Sequence, residues 1–305
     1  MHYNQLGSSD LQISAIGFGC MSLGEDEGAA SDLIHRALEL GINYFDTADL
    51  YDRGLNERML GRILRGKRDE VVLATKVGNQ WRPDGSGWDW NPRREYIIGA
   101  VEESLTRLQT DRIDLYQLHG GTMDDPIDET IDAFELLRQQ GKIRYYGISS
   151  IRPAVIREYS RRSAIVSVML QYSLLDRRGE ESCLEELRNK EIGVLARGSV
   201  AKGLLAGKPA GAYAGSGESA TAYLNYSIAE VEQAARAVAS VSGPLRSQAQ
   251  TALQFVLGNS AISSAVVGLR TIGQLEEAVR SLEAPWLTTE DRRVLETTIP
   301  VNFYQ

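Results

Sequence analysis

Four polar side chains of the kinds that carry out acid–base chemistry lie at or near the ends of short apolar segments. Asp46 ends INYFD, Lys76 ends VVLATK, His119 directly follows IDLYQL, and Tyr51 comes five residues after Asp46. A carboxylate, an ammonium, an imidazole and a phenol together meet the needs of carbonyl reduction by hydride. The oxygen that gains charge in that reaction requires a proton and preorganised hydrogen-bond donors.

Within such a set, Tyr51 is the predicted proton donor. A tyrosine is a weak acid at neutral pH, and a nearby ammonium strengthens it by favouring the phenolate. Asp46 would hold Lys76 charged and in place, while His119 would orient and polarise the carbonyl. Taken singly, each residue also has an ordinary structural interpretation, as a cap, a packed ring, a solvated lysine or a core histidine.

Short apolar runs alternate with amphipathic, helix-like stretches along almost the whole chain, which is typical of repeated βα units and a parallel sheet. The predicted strands cover residues 15–19, 42–46, 71–76, 113–118, 143–148, 165–170, 192–196 and 263–267. Eight such units in 305 residues favour a closed (β/α)8 TIM barrel over an open sheet, and no G-x-G-x-x-G follows an early strand. In such barrels the functional residues lie at the carboxyl ends of the strands, so all four side chains should face one mouth.

Three further segments have distinct patterns within what we interpret as a single domain over residues 1–305. Residues 3–13, with a GSSD turn, predict a β-hairpin at the bottom of the barrel. Residues 206–228 are rich in Gly, Ala and Ser and predict a long, functional loop. Residues 78–92 predict another long loop, which carries Trp81, Trp88 and Trp90. These rings would either line a pocket for an apolar substrate or pack the loop onto the barrel.

Composition excludes several classes of function. With 33 basic and 41 acidic side chains the net charge is −8, so a generic nucleic-acid or anionic-membrane surface is not expected. Cys20 and Cys183 have no metal-ligand spacing and fit buried thiols in a reducing compartment. A cytoplasmic protein is predicted, since neither a targeting segment nor a long apolar run is present. A metal-dependent barrel hydrolase is disfavoured, because three histidines without ligand spacing predict no metal site.

Several motifs in order resemble the aldo-keto reductase superfamily, in particular its bacterial NADPH-dependent oxidoreductase branch. They are LGSSDLQISAIGFGCMSLG, GINYFDTADLYDRGLNERMLG, LATKVG and SLTRLQTDRIDLYQLH, and the likeness covers nearly the whole chain. The resemblance implies a (β/α)8 barrel that binds NADPH extended across its C-terminal face and passes hydride to an aldehyde or ketone. It also implies that Asp46, Tyr51, Lys76 and His119 are the catalytic residues.

The same resemblance implies a set of cofactor-binding residues, which belong to YYGISS, RGSVAKGLLAGK and VVGLRTIGQLEEAV. They are Ser149 and Ser150 for the carboxamide, Arg197, Gly198, Ser199, Lys202 and Lys208 for the nicotinamide and pyrophosphate, and Gly268, Leu269, Arg270, Thr271, Gln274 and Glu277 for the adenosine 2′-phosphate. The chain departs from the family pattern at four positions: Ser150 and Ala278 replace asparagines, Met169 replaces a glutamine, and Arg197 replaces an aromatic residue.

Some alternatives stay open at this level. Arg197 would stack on the nicotinamide, reach the pyrophosphate or an acidic substrate, or pair with a carboxylate. Arg270 would bind a phosphate or form an ion pair with Glu276 or Glu277. A cofactor-binding, redox-sensing regulatory subunit is the alternative to a reductase. The partner predicted for the reductase is a small-molecule carbonyl substrate, whose identity the sequence does not specify; it leaves the oligomeric state open too.

Overall fold

The computed structural model describes residues 1–213 and 221–304. Its strands are β1 Tyr3–Gln5, β2 Gln12–Ser14, β3 Ile16–Gly19, β4 Tyr44–Asp46, β5 Val72–Val77, β6 Asn79–Trp81, β7 Trp88–Trp90, β8 Ile113–Leu118, β9 Ile143–Ser149, β10 Ser167–Gln171, β11 Gly193–Arg197, β12 Thr221–Tyr223, β13 Tyr226–Ser227 and β14 Ile262–Val267. Its α-helices are α1 Glu27–Glu39, α2 Leu55–Ile63, α3 Arg94–Leu108, α4 Ile127–Gln139, α5 Pro153–Arg162, α6 Arg178–Ser182, α7 Leu184–Asn189, α8 Ile228–Ser240, α9 Gln248–Leu257, α10 Ile272–Arg280 and α11 Thr289–Thr298.

Eight parallel strands close into a barrel in the order β3-β4-β5-β8-β9-β10-β11-β14, and β14 returns to β3. The predicted strands are confirmed, with ends that shift by one or two residues. The register places Lys76 beside Gln117 and Gln171 beside Arg197. Because all eight strands run in the same direction, their carboxyl ends open at one mouth.

The N-terminal hairpin closes the opposite end of the barrel, as predicted. Strands β1 and β2 pair antiparallel, and Leu6, Leu11 and Ile13 pack into the barrel interior. They meet Tyr44, Val72, Ala74, Leu115, Val166, Met169, Leu195 and Val266 there. The turn lies close against the barrel: a Cβ at Gly7, whose φ is 56°, would stand 2.2 Å from the Val166 carbonyl oxygen. Only glycine fits that position.

A second, larger core fills the space between the strands and the surrounding helices. Local signals in the sequence begin several of these helices. Asp26 accepts hydrogen bonds from the first backbone N–H groups of α1, and Ser227, Ser247 and Thr288 form capping boxes for α8, α9 and α11. Both cysteines are free and buried. Of the described helices, none has the length and apolarity needed to cross a membrane.

Two segments interpreted as loops contain more structure than predicted. Within residues 78–92, strands β6 and β7 form an antiparallel hairpin that pairs Asn79 with Trp90 and Trp81 with Trp88. Within residues 206–228, a 3-10 turn and the short β12–β13 hairpin are present, while 214–220 lie outside the described residues. Both hairpins are too short, and too rich in flanking Gly and polar residues, for alternation to reveal them.

Candidate active site

The ammonium of Lys76 is at the centre of the site. The side chain is 1% exposed and lies near the end of β5. Its Nζ donates to Asp46 Oδ1, to the Thr47 carbonyl at 2.8 Å and to Tyr51 Oη at 3.3 Å. An ammonium has three N–H groups, so these three acceptors use all of them. The buried cation is therefore both paired and fully hydrogen-bonded.

Asp46 is held on its second oxygen by a residue that sequence reasoning missed. Gln117 Nε2 donates to Asp46 Oδ2 at 3.0 Å, and Tyr44 Oη lies 3.5 Å from the same oxygen. Gln117 is fully buried on β8, next to Lys76 in register. A glutamine among the apolar residues of IDLYQL was the available signal, because a buried amide in a barrel strand needs a polar partner.

The pair keeps a positive charge beside the phenol. Burial opposes the charged form of Lys76, but Asp46 and Tyr51 outweigh it, so the pKa of Lys76 lies above its usual value. Burial raises the pKa of Asp46, and Lys76 and Gln117 offset part of that effect. The result is an ammonium that cannot easily lose its proton and that contacts the Tyr51 oxygen.

Tyr51 reaches this cation because the chain after β4 continues along β5. The Thr47 N–H donates to the Ala74 carbonyl at 2.9 Å, and the Asp49 N–H donates to the Lys76 carbonyl at 3.3 Å. The chain then turns in a short 3-10 segment, Tyr51–Gly54. Lys76 Nζ lies 5.0 Å from the centre of the Tyr51 ring. The phenol is thereby presented at the mouth, over the carboxyl end of β5.

His119 directly follows β8 and faces Tyr51. The two rings are 5.9 Å apart and edge-on. Burial, together with the positive charges of Lys76 and Arg197, lowers the pKa of His119 to about 3. Its Nδ1 is buried and has no hydrogen-bond partner in the described part of the chain. The imidazole is therefore neutral at physiological pH and carries one N–H that can donate to a ligand.

Arg197 is the residue at this mouth whose environment differs most from expectation. Its Nη1 donates to Gln171 Oε1 at 3.0 Å, and Gln171 Nε2 donates to Tyr223 Oη at 2.8 Å. Gln171, which the sequence did not assign to the site, thus anchors Arg197. Met169 is buried in the barrel interior, so the expected amide is replaced by an apolar contact.

Several predicted cofactor residues follow the ends of β9 and β11. Ser149 ends β9, and the buried Ser150 accepts a hydrogen bond on Oγ from the Arg152 N–H at 3.2 Å. Gly198 has a φ of 74°, and the next residue, Ser199, has a buried hydroxyl without a partner among the described residues. Lys202 has a φ of 58°, in the 3-10 turn that precedes Lys208. An orphaned buried hydroxyl such as that of Ser199 fits a site that accepts a polar ligand.

The remaining predicted cofactor residues surround the N-terminus of α10. Thr271 caps the helix by accepting the Gln274 N–H at 3.2 Å, and Gln274 Oε1 accepts the Arg270 N–H at 3.0 Å. Gly268 and Leu269 lead into this turn directly from β14. Helix N-termini favour anions, because their free N–H groups and dipole point outward.

The guanidinium of Arg270 is exposed and has no carboxylate partner within residues 1–213 and 221–304. Glu276 pairs instead with Arg36 and Arg280, and Glu277 accepts a hydrogen bond from Ser247 at 2.6 Å. The ion pair that was the structural alternative for Arg270 is therefore not formed. A cation beside a helix N-terminus is suited to binding a phosphate.

The three tryptophans of the β6–β7 hairpin have different environments. Trp81 Nε1 donates to the Leu50 carbonyl at 3.2 Å, and Trp90 Nε1 donates to Asp125 Oδ1 at 2.9 Å. Trp88 is 47% exposed. Two of the three rings thus pack the hairpin onto neighbouring loops of the mouth, and a role for any of them in a substrate pocket stays a prediction.

Comparison with known proteins identifies the family. Residues 15–298 match the model of the Aldo/keto reductase family. This chain belongs to the aldo-keto reductases. It is 49% identical over 305 residues to the uncharacterized oxidoreductase YqkF of Bacillus subtilis (strain 168), covering 100% of this chain and 99% of the relative. It is 32% identical over 301 residues to L-galactose dehydrogenase of Arabidopsis thaliana, with coverage of 91% and 86%.

Solved structures of the family have the same fold. Aldo-keto reductase AKR11C1 from Bacillus halodurans, in its holo form, superposes with a TM-score of 0.91 at 48% identity, covering 100% of this chain and 98% of that one. The apo form of the same enzyme gives a TM-score of 0.83 at 46% identity, with the same coverage. Family membership makes this protein an oxidoreductase of the class that uses a nicotinamide cofactor on carbonyl compounds.

The low pKa of His119 predicts that its ring stays neutral from about pH 5 to about pH 8, a range in which an ordinary histidine titrates. An unfolded histidine protonates near pH 6.5, so unfolding takes up a proton below that pH. This residue therefore lowers the stability of the fold as the pH falls from about 6.5 toward 3. Imidazole NMR, with His119→Asn to assign the signal, measures the titration. A midpoint above about pH 5 would contradict the account.

Proposed function

We propose that this protein is an NADPH-dependent reductase of aldehydes or ketones in which Tyr51 donates the proton to the carbonyl oxygen. The observation that carries the proposal is the contact of the buried Lys76 ammonium, itself paired with Asp46, with Tyr51 Oη at 3.3 Å. A cation at that distance stabilises the negative charge that the Tyr51 oxygen carries once its proton has been transferred. All three donors of this ammonium are used on Asp46, Thr47 and Tyr51, so the cation is fixed beside the phenol.

In this mechanism the protein's groups manage the charge on the carbonyl oxygen. A bound dihydronicotinamide supplies the hydride. The substrate oxygen accepts hydrogen bonds from Tyr51 Oη and from the N–H of the neutral His119 ring, which orients it. As negative charge develops on that oxygen, Tyr51 transfers its proton, and Lys76 stabilises the phenolate that remains. Asp46 keeps the ammonium in place and compensates its charge.

The residues around the mouth fit a dinucleotide. Ser149 and Ser150 would bind the carboxamide. The hydroxyl of Ser199 is buried and has no partner in the described part of the chain. Ser199 would therefore bind the dinucleotide, along with Gly198 and the lysines that follow. The pyrophosphate is assigned to Gly198, Lys202 and Lys208. The adenosine phosphate is assigned to Gly268, Arg270, Thr271, Gln274 and Glu277. The closer likeness to the holo form of AKR11C1, with TM-scores of 0.91 against 0.83, supports a conformation suited to the cofactor.

Arg197 would lie against the nicotinamide. Its guanidinium is held by Gln171 and is close enough to His119 to lower the pKa of that ring. A planar cation can stack on a flat ring. Because only the oxidised nicotinamide is positively charged, this contact would favour the reduced cofactor over the oxidised one.

A substrate screen tests the proposed function. Purified protein is mixed with a panel of small and bulky aldehydes and ketones, and oxidation of NADPH and of NADH is followed by absorbance. We expect turnover with at least part of the panel and faster turnover with NADPH. Tight NADPH binding without turnover of any carbonyl would favour the alternative, a redox-sensing regulatory subunit.

The first prediction from this proposal concerns Tyr51→Phe, which removes the proton donor and leaves the ring. General acid catalysis contributes about a hundredfold to ten-thousandfold, so the variant should lose that much of kcat. Its dissociation constant for NADPH should stay nearly unchanged, because the hydroxyl is assigned to the substrate and not to the cofactor. Steady-state kinetics and cofactor-binding fluorescence measure the two quantities.

Tyr3→Phe is the matched control. It also removes one phenolic hydroxyl, which donates to the Gly41 carbonyl at 2.8 Å at the opposite end of the barrel, and it should leave kcat unchanged. If Tyr51→Phe retains more than about a tenth of the native rate, the proton comes from another group or from water.

A second prediction concerns the choice of cofactor. A charge-assisted contact of Arg270 with the 2′-phosphate contributes on the order of 1.5–3 kcal/mol. Arg270→Ala should therefore weaken NADPH binding about tenfold or more and hardly change NADH binding. Calorimetric titration with both cofactors measures the difference, with Arg280→Ala at the far end of α10 as the control. Equal losses for NADPH and NADH would show that Arg270 has a structural role.

A further inference from the structure

We propose that the β6–β7 hairpin positions the proton donor, and that Trp81 is its positioning residue. This inference rests on the proposed function, in which Tyr51 donates the proton. It gives Trp81 a role other than that of a substrate wall.

The chain after Tyr51 has an unfavourable backbone conformation. Asp52, Arg53 and Gly54 have consecutive positive φ angles of 49°, 55° and 79°. Residues with a Cβ rarely adopt this region, and they remain there only where surrounding contacts hold them. Gly54 lies against Arg107, where a Cβ would stand 2.6 Å from the Arg107 Cδ. The turn that presents Tyr51 is therefore one that its neighbours must stabilise.

Trp81 contacts this turn on both sides of Tyr51. Its indole N–H donates to the carbonyl of Leu50, the residue before Tyr51, at 3.2 Å. The guanidinium of Arg53, two residues after Tyr51, lies 5.1 Å from the centre of the Trp81 ring. Arg53 Nη2 also donates to the Gly85 carbonyl at the tip of the hairpin, at 2.9 Å. One hairpin thus holds the residues that flank the phenol.

The same hairpin contacts the chain next to His119 through Trp90. The Trp90 ring covers Gly78 and Gly120, where added Cβ atoms would stand 2.5 Å and 3.1 Å from ring carbons. Its N–H donates to Asp125 Oδ1 in the loop after β8. Asn79, which pairs with Trp90 in the hairpin, donates from Nδ2 to the His119 carbonyl at 3.2 Å.

The hairpin therefore joins the loop that carries Tyr51 to the loop that carries His119. Tyr51 Oη is 3.3 Å from Lys76 Nζ, and the distance depends on where the turn after Leu50 lies. A misplacement of about 1 Å at a reacting group can lower a rate about a hundredfold. Loss of the Trp81 hydrogen bond should thus reduce the rate of the proton-transfer step without changing the affinity for cofactor or substrate.

The test is Trp81→Phe, which keeps a ring beneath Arg53 and removes the N–H. We expect kcat to fall about tenfold or more, with KM for the carbonyl and Kd for NADPH within about threefold of native values. The fall should be equal for a small and a bulky aldehyde. The solvent deuterium isotope effect on kcat should increase, because proton transfer becomes more rate-limiting.

Trp286→Phe is the matched control, because Trp286 is 46% exposed and lies between α10 and α11, outside the β6–β7 hairpin. It should leave kcat and the isotope effect unchanged. Arg53→Met tests the turn from its other side and should also lower kcat at constant KM, so a poorly folded Trp81→Phe would not prevent the test.

Equal kinetics of Trp81→Phe and Trp286→Phe, together with an unchanged Arg53→Met, would overturn the inference. A loss confined to the KM of the bulky aldehyde would overturn it too and would make Trp81 a substrate wall. Both outcomes require an active native protein and leave the proposed function intact. A native protein that reduces no carbonyl would instead contradict the proposed function and this inference with it.

Discussion

The site depends on one buried interaction, the ion pair between Lys76 and Asp46. Two charges in a barrel interior are tolerated only when they are paired and when their remaining donors and acceptors are satisfied. The closed barrel meets this condition, since adjacent strands supply Asp46, Lys76 and Gln117, and the Thr47 carbonyl completes the set. Because every strand end is fixed by its two neighbours, the ammonium has a defined position from which it contacts the Tyr51 oxygen.

Basic groups lie at the mouth of the barrel although the whole chain is acidic. The net charge is −8, yet Lys76 and Arg197 both lie close enough to His119 to add to the effect of burial, which together with them lowers the pKa of His119 to about 3. Arg270 adds an exposed guanidinium at the N-terminus of α10, without a carboxylate partner in the described ranges. Local placement of basic groups, and not overall composition, therefore makes this face suitable for an anionic cofactor. Burial and these positive charges keep the His119 imidazole neutral, as a hydrogen-bond donor and not as a competing acid.

The strands, and the four polar residues at or near their ends, could be predicted because apolar runs alternate with helix-like stretches in the sequence and because the strand ends of a barrel must converge. Contacts between loops could not be predicted from the sequence. Each strand of the β6–β7 hairpin has only three residues. The hairpin is held by hydrogen bonds from Trp81 to Leu50 and from Trp90 to Asp125, which lie far away in sequence. Gln117 looked like part of an apolar strand, and Gln171 looked unrelated to the site until the register placed it beside Arg197. Such pairings depend on tertiary geometry, which no local pattern encodes.

The most direct test of the central claim removes the buried charges without leaving one unpaired. The double variant Asp46→Asn/Lys76→Met is nearly isosteric and neutral, and replacing both partners of a buried pair is commonly tolerated. We measure its thermal unfolding, NADPH binding and single-turnover rate with a carbonyl that the native protein reduces. The account predicts a folded protein that binds NADPH within about threefold of the native affinity and loses at least about a hundredfold in rate. A rate within about tenfold of native would contradict it, because the ammonium would then not be needed for proton donation.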